Sequence, residues 1–143
     1  MLNIGIIGAG RIGKVHSESI TYHVKDATVV AIADPFMNDE TKAWAEGLGI
    51  PKISKDYHEI LNDAAVDAVL ICSSTDTHAD ISIEAIKAGK HVFCEKPISQ
   101  DLAKIKEVME ALKGSNVKFQ VGFNRRFDHN FEAVRSAVAE CKI

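Results

Sequence analysis

Apolar positions in this chain fall into short runs separated by amphipathic stretches. Leu2 to Ile7 forms the first run and ends in glycines, and Thr28 to Ala33 forms the second, stopped by Asp34-Pro35. Pro51 to Ser54, Val66 to Cys72, His91 to Cys94 and Val117 to Val121 come after them. Runs this short and this uniformly apolar predict strands buried on both faces. Helical spacing fills the gaps. It runs from Arg11 to Val24 and from Asp39 to Leu48, where Gly49 closes the helix. Asp56-Tyr57-His58-Glu59 has the form of a capping box opening a brief helix, and Thr75 or Asp76 is placed to cap a helix ended by Gly89. Leu102, Ile105, Val108, Met109 and Leu112 form one apolar stripe stopped by Gly114, and Phe127, Phe131, Val134 and Val138 recur at helical spacing near the end. Strand and helix alternate throughout. That order predicts a doubly wound α/β domain, a mostly parallel sheet with helices on both faces.

Composition narrows the function classes. The 143 residues suffice for one domain with a hydrophobic core, and a formal charge of −3 argues against a non-specific nucleic-acid binder. No apolar run is long enough to cross a bilayer, and the apolar N-terminus lacks a charged leader region, so it reads as a buried strand. Cys72, Cys94 and Cys141 show no metal-ligand spacing and are odd in number. They imply no metal site and a reduced, cytoplasmic protein, with Cys72 and Cys94 as small core residues.

The strongest local motif is Gly8-Ala9-Gly10-Arg11-Ile12-Gly13. It comes directly after an apolar strand and opens a helix, the context in which such a fingerprint binds a dinucleotide. Gly8 would make the tight turn, Gly10 would admit the pyrophosphate, and Gly13 would let helix and strand approach. The helix N-terminus, with Arg11 and Ile12 in its first turn, would hold the phosphates. Asp34, at the end of the second strand, stands where a carboxylate accepts from ribose hydroxyls and repels the 2′-phosphate of NADP. Its neighbours Pro35, Phe36 and Met37 carry no positive charge, so the expected cofactor is NAD, bound by a Rossmann-type domain. The plainer alternatives are a glycine turn without ligand and a turn aspartate before proline.

Three further segments carry a family resemblance: Ile71-Cys72-Ser73-Ser74-Thr75-Asp76-Thr77-His78, Gly89-Lys90-His91-Val92-Phe93-Cys94-Glu95-Lys96-Pro97, and Gly122-Phe123-Asn124-Arg125-Arg126-Phe127-Asp128. With the opening glycine motif, they resemble the Gfo/Idh/MocA oxidoreductases over essentially the whole chain. The last segment is most similar to the inositol 2-dehydrogenases of that family. The resemblance implies NAD-dependent oxidation of a secondary hydroxyl on a polyol or sugar. It implies that Lys96 is the catalytic residue, touching both the substrate hydroxyl and the nicotinamide ribose, where its charge would favour alkoxide character. Pro97 matches a proline often preceded by a cis bond. Ser73, Ser74, His78 and Glu95 match positions along the cofactor, His16 matches another nearby, and Asn124 and Arg125 match the substrate pocket.

Family members carry a second, mostly antiparallel α/β domain with an Asp-x-x-x-His element that handles the substrate proton. That domain is expected to be absent here. Residues 1–123 read as the dinucleotide-binding domain, and 124–143 as a helix leading toward a missing domain, with Ala139 to Ile143 as the crossing. Asp128-His129 stands too near the start of that helix to replace the missing element. The fragment is therefore expected to be inactive or nearly so alone. A face left uncovered favours homo-oligomers. The alternative is a non-enzymatic dinucleotide-binding or interaction module. No nucleic-acid or membrane partner is expected.

Overall fold

Ile6 and Ile7 are adjacent, fully enclosed, and belong to different cores. Successive side chains of a strand leave on opposite faces, so a strand apolar at every position must be covered on both sides. The computed structural model describes residues 1–141; Lys142 and Ile143, the end of the expected crossing, lie outside them. The elements are β1 (Leu2–Ile7), α1 (Arg11–His23), β2 (Ala27–Ala33), α2 (Asp39–Gly47), β3 (Lys52–Ser54), α3 (His58–Leu61), β4 (Ala68–Ile71), α4 (His78–Lys87), β5 (His91–Cys94), α5 (Leu102–Leu112), β6 (Phe119–Val121) and α6 (His129–Ala139). Short 3₁₀ turns at Thr75–Thr77 and Asn124–Phe127 precede α4 and α6.

The six strands lie in the order β3-β2-β1-β4-β5-β6, every pair parallel. The chain crosses from one edge back to the centre between β3 and β4. The strand order therefore reverses between β1 and β4, the place where open α/β sheets bind ligands. On one face Ile4, Ile6, Val29 and Ile32 pack with Ile20 of α1 and Ala45 of α2. On the other, Ile7, Val69, Ile71, Val92 and Cys94 pack with Ile60 and Leu61 of α3, Ala85 and Ile86 of α4, and Val108 of α5. Burial pushes the Cys72 thiol up to about 12 and the Cys94 thiol up to about 11, so both are inert core residues. Among the described residues, no helix is long and apolar enough to cross a membrane.

Three local expectations are corrected. Asp56 accepts from the His58 amide (2.9 Å), two residues on, and the return bond from Glu59 is not seen, so only half a capping box forms. Neither Thr75 nor Asp76 caps α4; its lead-in is a 3₁₀ turn closed by the Thr77 hydroxyl donating to the Ser74 carbonyl. The α5 stripe is narrower than the pattern suggests: Val108 is enclosed, whereas Leu102 and Met109 are 73% and 60% exposed because α5 covers only the margin of the sheet. The apolar side of α6 stays largely exposed, as expected of an uncovered face: Val134 and Val138 stand open, and the Phe131 ring is covered in part by Arg125.

Candidate dinucleotide and catalytic site

Five strands end on one line. The pairings Ile7 with Ala33, Ile7 with Ile71, Ile71 with Cys94, and Cys94 with Val121 put their last residues level. The residues just beyond these strand ends therefore meet along one edge: Asp34 after β2, Gly8 after β1, Cys72-Ser73 after β4, Glu95-Lys96 after β5 and Gly122 to Asn124 after β6. Nearly every residue singled out in the sequence sits on this edge because of parallel register alone.

The glycine turn is built by close approach. Gly8 has φ +104°, and a Cβ on it would lie 2.6 Å from the Cys72 carbonyl carbon and the Ser73 nitrogen. A Cβ on Gly13 would lie 1.9 Å from the Gly8 carbonyl oxygen, so α1 sits against the turn only because that atom is missing. Gly10 differs. Its backbone is ordinary, with φ −70° and ψ −172°, and a Cβ there would meet nothing within 4 Å. Nothing in the protein requires glycine at this position, whereas a pyrophosphate lying on the start of α1 would. No side chain caps α1, and its first turn holds no acid, so its positive end faces outward unneutralised. Arg11 and Ile12 occupy that first turn, Arg11 exposed and Ile12 half-buried.

Asp34 closes the other side. One carboxylate oxygen accepts from the Ala9 amide at 2.7 Å, and the other from the Phe36 amide at 2.8 Å. A cleft of about 400 Å³ lies between these groups and the loop after β4. Gly8, Gly10, Asp34, Phe36, Ser73 and Ser74 line it, with Tyr57, Thr77 and Ile81. A wider cleft of about 690 Å³ beside β3, lined by Pro51, Lys52 and Asp63, shares no residue with the glycine turn and none of its chemistry.

The Ser73 hydroxyl pairs with that of Thr77 at 2.7 Å, and Ser74 is exposed on the rim. His78 is enclosed behind this loop, its Nδ1 2.8 Å from the Pro97 carbonyl and its Nε2 3.0 Å from that of Ser73. It ties the loop after β4 to the loop carrying Lys96, and its ring edges are occupied by protein. Glu95 has a comparable place. Its Oε1 accepts from His16 Nε2 of α1 at 2.8 Å, and its Oε2 accepts from the Lys96 amide at 3.3 Å. A Cβ on Gly122 would crowd Glu95 Cδ at 3.2 Å, so the end of β6 leaves room for this carboxylate. The Lys96 side chain is exposed on the edge, and the Lys96–Pro97 peptide is cis. Asn124 and Arg125 lie in the 3₁₀ turn beyond β6, where the Arg125 guanidinium covers the Phe131 ring at 4.7 Å. Asp128 is the N-cap of α6 and accepts from the Asn130 amide at 2.9 Å.

Sequence reasoning passes over Phe36 and Tyr57 as site residues. Phe36 is 88% exposed two residues after Asp34, and a large aromatic so placed is a signal of contact with something else. Tyr57 carries no such signal, because only folding brings the loop after β3 to the cleft.

A parallel sheet that reverses order at a glycine turn, with an acid at the next strand end and an open helix N-terminus, defines a dinucleotide-binding Rossmann domain. Residues 2–123 match the Gfo/Idh/MocA oxidoreductase family, NAD-binding Rossmann fold, and the chain belongs to that family. It is 47% identical to a myo-inositol 2-dehydrogenase of Thermotoga maritima over 137 residues, which is 96% of this chain and 40% of that protein. It is 40% identical to a scyllo-inositol 2-dehydrogenase (NAD(+)) of Bacillus subtilis, over 86% of this chain and 36% of that protein. The structure of a scyllo-inositol dehydrogenase from Lactobacillus casei, with bound cofactor NAD(H) and scyllo-inositol, superposes with a TM-score of 0.92 at 34% identity. That match covers 100% of this chain and 42% of the other. The chain thus spans about two fifths of the length of the relatives it matches.

Proposed function

We propose that this chain is the NAD-binding domain of a dehydrogenase that oxidises a secondary hydroxyl of a polyol or sugar, with an inositol as its substrate class. The observation that carries this is the common edge: the glycine turn, Asp34 and Lys96 come after strands whose ends are level, so a dinucleotide laid on α1 would extend toward Lys96. Bound NAD would supply the hydride acceptor. Gly8, Gly10 and Gly13 would shape the bed for the pyrophosphate, with the first-turn amides of α1, including Arg11 and Ile12, as donors. Asp34 would accept from the adenosine ribose. Ser73 and Ser74 would border the cofactor, while His78 and Glu95 would set the two loops that border it. The Lys96 ammonium would polarise the substrate hydroxyl and favour alkoxide character, with Asn124 and Arg125 toward the substrate. Inositol dehydrogenases among the relatives support the substrate class.

Oxidation also needs a group to take the hydroxyl proton within hydrogen-bond reach. No imidazole or carboxylate of the described residues is bonded to Lys96 Nζ, and Asp128 is spent on capping α6. The isolated chain is therefore proposed to bind NAD and to turn over slowly or not at all. The exposed apolar side of α6 favours a second reading, an interaction module that binds the dinucleotide without chemistry. Three unpaired cysteines support placement in the reducing cytoplasm. Calorimetry with NAD, alongside a turnover assay with myo-inositol and NAD, tests the proposal. Binding with little turnover agrees with it, and no NAD binding overturns it.

A further inference from the structure

The chain has four arginines, and three of them meet at one place. Arg125 and Arg126, in the turn after β6, and Arg135, two turns into α6, line an open concavity of about 280 Å³ that Phe131 and Glu132 complete. None of these three guanidinium groups forms an ion pair with a described residue, whereas Lys42, Lys52, Lys104 and Lys113 all do. Arg125 is steadied by the aromatic floor, its guanidinium 4.7 Å from the Phe131 ring centroid. Asp128, close by in the chain, is turned to the start of α6, where its Oδ1 accepts from the Asn130 and Phe131 amides at 2.9 and 3.3 Å. Glu132 is the one acid lining the concavity, so three guanidinium groups against one carboxylate leave a charge of +2 there. Gathering like charges costs energy, and an anion seated among them removes that cost.

The choice of arginine narrows the anion. A guanidinium offers N–H donors in a planar fork that fits the oxygens of a phosphate or carboxylate, which a lysine ammonium meets only as a point charge. A carboxylate brings one charge and two oxygens. A phosphate monoester brings about −1.5 to −2 at neutral pH and three free oxygens, which matches both the charge and the number of forks. We propose that Arg125, Arg126 and Arg135 form a binding site for the phosphate group of a small phosphate monoester, apart from the bed at α1 assigned to the pyrophosphate. Its place beyond β6, the neighbour of the strand that leads to Lys96, suits a phosphorylated polyol or sugar. The site does not depend on the NAD reading.

The test is an NMR titration of the full chain with inorganic phosphate and with glycerol 3-phosphate, following the arginine Nε–H signals and the backbone amides. Glycerol and acetate, at matched ionic strength, are the controls. Arg125, Arg126 and Arg135 are expected to move together with phosphate and with the ester and to stay still with glycerol. Acetate is expected to bind at least about threefold more weakly, as a ligand with half the charge. Arg126→Gln and Arg135→Gln are each expected to weaken phosphate at this site by about three- to tenfold, the loss of one water-screened, charge-assisted contact. Arg126→Lys, which keeps the charge and loses the fork, is expected to fall between Arg126→Gln and the unmodified chain. Both side chains are exposed, so thermal melts of these variants should match the unmodified chain, and NAD calorimetry on them should be unchanged. Phosphate shifts confined to Gly10, Arg11 and Ile12 would place the anion on α1 and overturn the proposal. So would phosphate binding to the two glutamine variants as tight as to the unmodified chain. Acetate binding as tightly as phosphate overturns the phosphate assignment, and a loss of NAD binding in Arg126→Gln or Arg135→Gln overturns the separation of the two sites.

Discussion

The carboxylate of Asp34 accepts from the amide of Ala9 at 2.7 Å, joining the end of β2 to the glycine turn at the end of β1. The acid expected to read the ribose is thus also part of the turn that would bed the pyrophosphate. Asp34→Ala leaves the Ala9 and Phe36 amides without their acceptor. It is expected to lower stability by about 1–3 kcal/mol, the cost of stranding such donors. Asp34→Asn, which can still accept from one of them, is expected to lose less. Denaturant melts of the two variants check the order; equal stability of Asp34→Ala and the unmodified chain would contradict it.

Two glycines of the fingerprint should behave in opposite ways. Gly13→Ala puts a methyl 1.9 Å from the Gly8 carbonyl oxygen, so the helix must move, and about 1–3 kcal/mol of stability is expected to be lost. Gly10→Val meets no protein atom near its Cβ and is expected to fold normally. Its side chain would fill the bed of the pyrophosphate, so NAD binding should fall sharply. Melting temperature and NAD calorimetry on the two variants separate the effects.

Asp56, accepting at the His58 ring, and next the charge of Asp56 and of Glu84 raise the His58 pKa above its ordinary 6.5. A proton held more tightly in the folded state stabilises that state fully below 6.5, and the benefit is lost as pH rises through the folded value. The advantage of the unmodified chain over His58→Gln is therefore expected to shrink on that rise. An NMR titration should place the His58 midpoint above 6.5, and Asp56→Asn should lower it. His58 is half exposed, so the effect on stability is small.

The strands, the glycine turn, Asp34 and Lys96 are readable in the sequence because each is defined by neighbours along the chain. A parallel sheet then places strand ends side by side without further information. What is not readable depends on contacts across the fold. Tyr57 reaches Glu84 only after α4 packs beside the β3–α3 loop, and Glu95 reaches His16 only across α1 and β5. His78 reads as a cofactor neighbour, yet its ring bridges two carbonyl groups inside the protein. Leu102 and Met109 mislead for the related reason that helical spacing shows a stripe but not how much of it the sheet edge covers.

Phe127, Phe131, Val134 and Val138 are between 47% and 75% exposed, an apolar surface that isolated soluble chains seldom leave open. Self-association of this chain is expected, measured by light scattering across a concentration series. A Phe131→Ser, Val134→Ser double variant should shift the series toward monomer. A strictly monomeric unmodified chain would contradict the expectation.

Calorimetric titration of the unmodified chain with NAD and with NADP tests the central claim most directly. NAD should bind and NADP bind more weakly if Asp34 takes the ribose as proposed, since its chain neighbours Pro35, Phe36 and Met37 carry no positive charge. Asp34→Ala should narrow that gap, weakening NAD by about 1–3 kcal/mol through the lost charged hydrogen bond. No binding of NAD, or NADP binding as tightly as NAD, would contradict the account.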